Sequence, residues 1–118
     1  MKTLVIGASI KPERYSNKAI NSLLAHGHEV VAIGAKSGKV NSVAFNKELV
    51  PFTAIDTVTL YINPTIQKDY YNYILSLHPR RVLFNPGTEN DEFAAMLKAN
   101  NCIVQEACTL VLLSIGAY

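Results

Sequence analysis

The run from Lys2 to Ile6 is apolar or β-branched from Thr3 onward, and Gly7 ends it. A strand covered on both faces reads this way. Ala19, Ile20, Leu23 and Leu24 then recur at helical spacing, which predicts a helix with Ser16 as N-cap and Gly27 at C′. Glu29 to Ile33 (EVVAI) is the second expected strand, closed by Gly34, and the β-branched stretch Thr57 to Ile62 (TVTLYI) is another. Asn63-Pro64 ends it, with Pro64 at a helix start. Ile66, Tyr70, Tyr73, Ile74 and Leu77 follow on one helical face. Arg81 to Phe84 is a further strand with Asn85-Pro86-Gly87 as its exit. A helix from about Glu89 to Ala99 should bury Phe93, Met96 and Leu97, and Cys102 to Glu106 is the last strand. The segment from Ala35 to Ala54 holds Gly38, Asn41 and Pro51 and predicts no more than a short strand near Val43 to Phe45.

Strands alternating with helices over short connections predict an α/β fold, doubly wound, with a mostly parallel sheet and helices on both faces. At 118 residues, residues 1–118 are expected to form one domain. Ligands of such sheets bind outside the carboxyl ends of the strands, near the reversal of strand order. Four loops should meet there: Gly7 to Ser16, Gly34 to Lys39, Asn63 to Thr65, and Asn85 to Asn90.

Composition narrows the partners. A net charge of +2 with scattered Lys and Arg argues against nucleic acid, so basicity must act locally. The apolar stretch Leu110 to Leu113 is far short of the roughly 20 residues of a membrane helix. The first residues do not read as a signal peptide, and Cys102 and Cys108 are too far apart along an extended strand to bridge. A cytoplasmic location is expected. The histidines His26, His28 and His78 are dispersed, so neither a zinc set nor a His-based triad is expected.

The loop after the first strand carries the candidate chemistry. Gly7, Ala8 and Ser9 lead through Lys11, Arg14, Tyr15 and Ser16 into a helix. Glycine admits close backbone approach, and the first amides of a helix attract an anion. The dinucleotide pattern G-x-G-x-x-G is absent. The second strand ends in Gly34-Ala35-Lys36, with Lys39 close behind, where an NAD site would place an acid for the ribose hydroxyl. An exposed lysine there attracts an extra ribose phosphate by on the order of 1 kcal/mol. NADP carries that phosphate on the 2′ position and coenzyme A on the 3′.

Val5-Ile6-Gly7-Ala8-Ser9, Pro12, Arg14-Tyr15-Ser16, Gly27-His28-Glu29-Val30, Asp56 to Tyr61, Phe84 to Asn90 and Ala107 to Val111 together resemble the small stand-alone CoA-binding proteins. These are similar to the N-terminal domain of succinyl-CoA synthetase α-subunits. The resemblance implies a five-stranded Rossmann-like fold that binds coenzyme A or an acyl-CoA as a non-catalytic or accessory module. It implies the pyrophosphate near Ser9, Arg14 and Ser16, and the adenosine end near Gly34 and Lys36. Many relatives carry proline where this chain has Gly34-Ala35. The full candidate cofactor set is Gly7, Ala8, Ser9, Arg14, Tyr15, Ser16, Gly34, Lys36, Asn63, Pro64, Asn85, Pro86 and Gly87. No catalytic or metal residue is assigned. One alternative is a small NADP- or CoA-dependent enzyme using Cys108 or Glu89, with Tyr61 as a further proton donor. Another is a scaffold forming a homo-oligomer through the apolar segment Leu110 to Ile115 with Tyr118, whose other reading is an internal core element.

Overall fold

The computed structural model describes residues 1–118. In chain order the elements are β1 (Lys2–Ile6), α1 (Tyr15–Ala25), β2 (Glu29–Ile33), β3 (Gly38–Val40), β4 (Val43–Phe45), β5 (Thr57–Leu60), α2 (Pro64–Gln67), α3 (Tyr71–Leu77), β6 (Arg81–Phe84), α4 (Asp91–Ala99), β7 (Ile103–Glu106) and α5 (Thr109–Ser114). Five strands form one sheet in the order β2-β1-β5-β6-β7, and every pairing in it is parallel. The chain steps from β1 to β2 on one side and then returns past β1 to β5 on the other. Strand order therefore reverses between β1 and β5. The expected doubly wound, Rossmann-like α/β architecture is what forms.

Residue alternation along the strands feeds two cores. Leu4, Ile6, Val58, Leu60, Val82 and Phe84 pack with Ile74, Phe93 and Leu97 from α3 and α4. Val5, Val30 and Ala32 face the other way, against Ile20 and Leu23 of α1 and Leu113 of α5. No helix of the structure is long and apolar enough to cross a membrane.

Four details depart from the sequence expectations. Ser16 is not the N-cap: Arg14 holds that place in an extended conformation, with no side-chain cap bond, and Ser16 is buried in the first turn. Residues 64–77 are not one helix. A 3₁₀ turn, Lys68–Tyr70, separates α2 from α3 and resets the phase. Ile74 is consequently buried while Ile66 stays 44% exposed. The helix expected from about Glu89 begins at Asp91, with Asn90 as its cap, accepting from the Phe93 amide at 3.0 Å. The expected short strand Val43–Phe45 forms as β4, but with an unexpected partner, β3, in an antiparallel hairpin whose Val40, Val43 and Phe45 join the α1-side core.

The C-terminal segment is internal on one face only. Thr109, Leu112 and Leu113 of α5 are buried, leaving Val111 and Ile115 exposed. Tyr118 lies with its ring 4.5 Å from the Arg81 guanidinium and its hydroxyl against Thr3.

Candidate functional site

β1 and β5 exit the sheet side by side, and their closeness dictates Gly7. Its φ is +98°, and a Cβ there would stand 2.8 Å from the Tyr61 carbonyl oxygen. Both facts exclude a side chain. The Gly7 and Ala8 amides are spent on the Ile33 carbonyl at 2.9 and 3.0 Å. Glycine is thus needed here for the crossing of two strand exits, and its amide is not open to an anion.

The open groups come next. The Ser9 and Ile10 amides have no protein acceptor, while Ser9 Oγ accepts from the Lys11 amide at 3.2 Å and its carbonyl from Asn17 Nδ2 at 2.9 Å. The first turn of α1 adds uncapped amides and carries no acid.

Beside this loop lies a cavity of about 460 Å³. Gly7, Ala8, Ser9, Ile10, Lys11 and Arg14 form its β1 side, and Gly34, Ala35, Lys36 and Ser37 its β2 side. Phe45 comes from the hairpin, and Tyr61, Ile62, Ile66 and Tyr70 supply the wall beyond β5. Three cations and no carboxylate line it. The two ion pairs of the protein, Lys2 with Glu29 and Arg80 with Asp56, use none of those cations. Cationic groups come from the β1 and β2 exits, and apolar ones mainly from β4, β5 and α2.

Tyr61 closes the floor. Its hydroxyl is buried beside Thr59 and Thr109 without an aligned hydrogen bond. Burial pushes its titration up to about 12, so the phenol stays neutral.

Of the thirteen candidate binding residues, Gly7, Ala8, Ser9, Arg14, Gly34 and Lys36 line the cavity, whereas Tyr15, Ser16, Asn63, Pro64, Asn85, Pro86 and Gly87 do not. Tyr15 is exposed on the surface. Asn63 caps α2, accepting from the Ile66 amide at 2.9 Å, and Pro64 occupies its first turn. Asn85 is buried with its polar atoms used internally. Its Nδ2 donates to Thr59 Oγ1 at 2.6 Å and the Leu60 carbonyl at 2.9 Å, and its Oδ1 accepts from the Thr109 amide at 2.9 Å. Pro86 and Gly87 sit at an exposed turn, whose Gly87 amide donates to Glu89 Oε1 at 2.8 Å. Glu89 and the partly exposed Cys108 lie outside the lining as well. Nine further residues line the cavity. Lys11, Ala35 and Ser37 share the candidate loops, and Ile10 and Phe45 come from the β1 exit and the hairpin. Tyr61, Ile62, Ile66 and Tyr70 fall in segments read as strand or helix, and the placement of β5 beside β1 brings them to the site.

Fold and cavity together define a class: a doubly wound α/β domain with a basic pocket at its topological switch point. The chain belongs to a family of CoA binding domains, whose model matches residues 1–114. It is similar to an uncharacterized protein solved by crystallography, at 47% identity and TM-score 0.97 over 99% of this chain and 97% of that one. A hypothetical protein from Pyrococcus horikoshii OT3 matches at 25% identity and TM-score 0.82, covering 92% of this chain and 78% of its own. A Thermus thermophilus protein shares the fold at 19% identity and TM-score 0.86, over 99% and 90% of the two chains. Among curated proteins, none matches the chain.

Proposed function

We propose that the cavity at the β1–β5 switch point binds coenzyme A or an acyl-CoA as a cytoplasmic binding module. The diphosphate rests on the loop from Ser9 to Arg14, accepting from the Ser9 and Ile10 amides and from the Arg14 guanidinium. The ribose phosphate lies towards Lys36. The pantetheine arm crosses the apolar wall of Ile62, Ile66 and Tyr70. One observation carries this reading: Lys11, Arg14 and Lys36 converge on one cavity, unpaired, with no carboxylate among its lining residues. Cations so placed favour a multiply charged anion, and two open amides add directional donors. Family membership supports the coenzyme over other anions of similar charge.

Thermal-shift titration tests it. A ligand at 100 times its Kd adds about 2.7 kcal/mol, worth a rise of roughly 8–15 °C in a domain of this size. CoA should stabilise most, with dephospho-CoA and NADPH weaker. A larger response to NADPH would move the site to the dinucleotide reading, and no response to any of the three would remove the proposal.

A further inference from the structure

We propose that Gly34 and Gly38 are positioning residues for the bound anion, holding the Ala8–Lys11 loop in its anion-accepting shape by letting β2 and the β3–β4 hairpin press against it. The inference rests on the coenzyme site just described. Neither glycine has a positive φ, so conformational freedom is not what they contribute. They contribute the missing methyl. A Cβ at Gly34 would stand 2.6 Å from the Ala8 carbonyl oxygen and 2.9 Å from Phe45 Cδ1. A Cβ at Gly38 would overlap Ile10 Cγ2 and stand 3.0 Å from Phe45 Cζ.

These obstructions fall on the two residues flanking Ser9. The Ala8 carbonyl and the Ser9 N–H belong to one planar peptide unit. Displacing the carbonyl therefore turns the amide that faces the anion. Ile10 supplies the next open amide, and its side chain, 61% exposed, reaches Gly38. Backbone bonds fasten the junction from both sides. The Ile33 carbonyl accepts from Gly7 and Ala8, and the Gly34 amide donates to the Asn46 carbonyl at 3.0 Å. Loop, strand exit and hairpin thus meet at Gly34, with no room for a side chain.

Two probes separate this role from adenosine contact: CoA by calorimetry, and inorganic pyrophosphate, which has no adenosine, by NMR titration. Gly34→Ala should weaken both by a similar factor of tenfold or more. Loss of CoA affinity with pyrophosphate unchanged would overturn the proposal, because the methyl would then act on the nucleoside alone. Unchanged binding of both would overturn it as well. Should Gly34→Ala fail to fold, Gly38→Ala serves in its place, measured with and without Ile10→Ala. The Gly38 substitution should cost affinity when Ile10 is present and little once it is truncated. Equal costs in both backgrounds would overturn the proposal. Wild-type protein that binds neither probe would remove the coenzyme site itself, a result distinct from a glycine effect that is missing.

Discussion

Truncating Asn85 separates an internal role from a ligand-contact role. Asn85→Ala deletes three hydrogen bonds at once and leaves the Thr109 amide and the Leu60 carbonyl buried without their partner. Each abandoned group costs about 1–3 kcal/mol, and the cavity adds to that. A loss of about 3–5 kcal/mol follows, a large share of the roughly 5–15 kcal/mol that holds a typical domain folded. Asn85→Asp is nearly isosteric, yet its second oxygen would face the Leu60 carbonyl at the former Nδ2 position. The introduced carboxyl would be favoured in its neutral form, able to donate there, so its folded pKa lies above its unfolded one. Stability of this variant is therefore highest below the unfolded carboxylate range and is lost as pH rises through the folded pKa. Urea unfolding followed by circular dichroism, at pH 4.5 and pH 7, reads both variants. Wild type supplies the reference at each pH. CoA affinity of the folded fraction should stay within about threefold of wild type. A stability loss below about 1 kcal/mol, or a tenfold loss of affinity with stability intact, would refute the internal assignment.

Arg14→Ala should weaken CoA by about 10- to 150-fold, the equivalent of one charge-assisted contact, in calorimetry at moderate salt. Its unliganded melting temperature should hold or rise slightly, because a cation at a helix N-terminus opposes the dipole. Gly7→Ala should cost about 2–4 kcal/mol of unfolding free energy in urea denaturation, combining a left-handed backbone with the clash at Tyr61. Arg80 holds the Asp56 carboxyl below its usual range through bonds of 2.8 and 3.1 Å. The pair therefore contributes above the unfolded pKa of Asp, about 3.9, and is lost as pH falls through the folded value. Arg80→Ala should lower the melting temperature at pH 7, by the equivalent of at most about 1 kcal/mol given its exposure, with the difference from wild type closing in acid.

The central sheet was legible because strands covered on both faces carry unbroken apolar runs, and Leu4 to Ile6 and Val82 to Phe84 do so. Of the β3–β4 hairpin only the short strand at Val43 to Phe45 was legible; β3 and the pairing were not, since three-residue strands set no period and Phe45 owes its burial to docking beneath Gly34 and Gly38. One residue of the site wall was lost with it. Ile66 and Tyr70 misled for another reason: a 3₁₀ turn shifts the helical phase after residue 67, which spacing alone does not reveal. Asn85 at a strand exit resembled a ligand contact. Its partners Thr59 and Thr109 lie 26 and 24 positions away along the chain, where local pattern carries no trace of them. The cationic half of the cavity was legible, because Ser9, Arg14, Gly34 and Lys36 follow directly from where the first two strands end.

Gln67, on the α2 side of the cavity, is fully buried and donates to the carbonyls of Ile62 and Thr88 while accepting from Asn90. That rim is latched by interior polar bonds whose breakage exposes unsatisfied groups. The opposite rim, the hairpin, joins the rest of the chain through a single backbone bond, from Gly34 to Asn46, and otherwise leans on apolar side chains. Breathing of the cleft is accordingly lopsided: amide exchange should run faster across residues 38–46 than across 62–67.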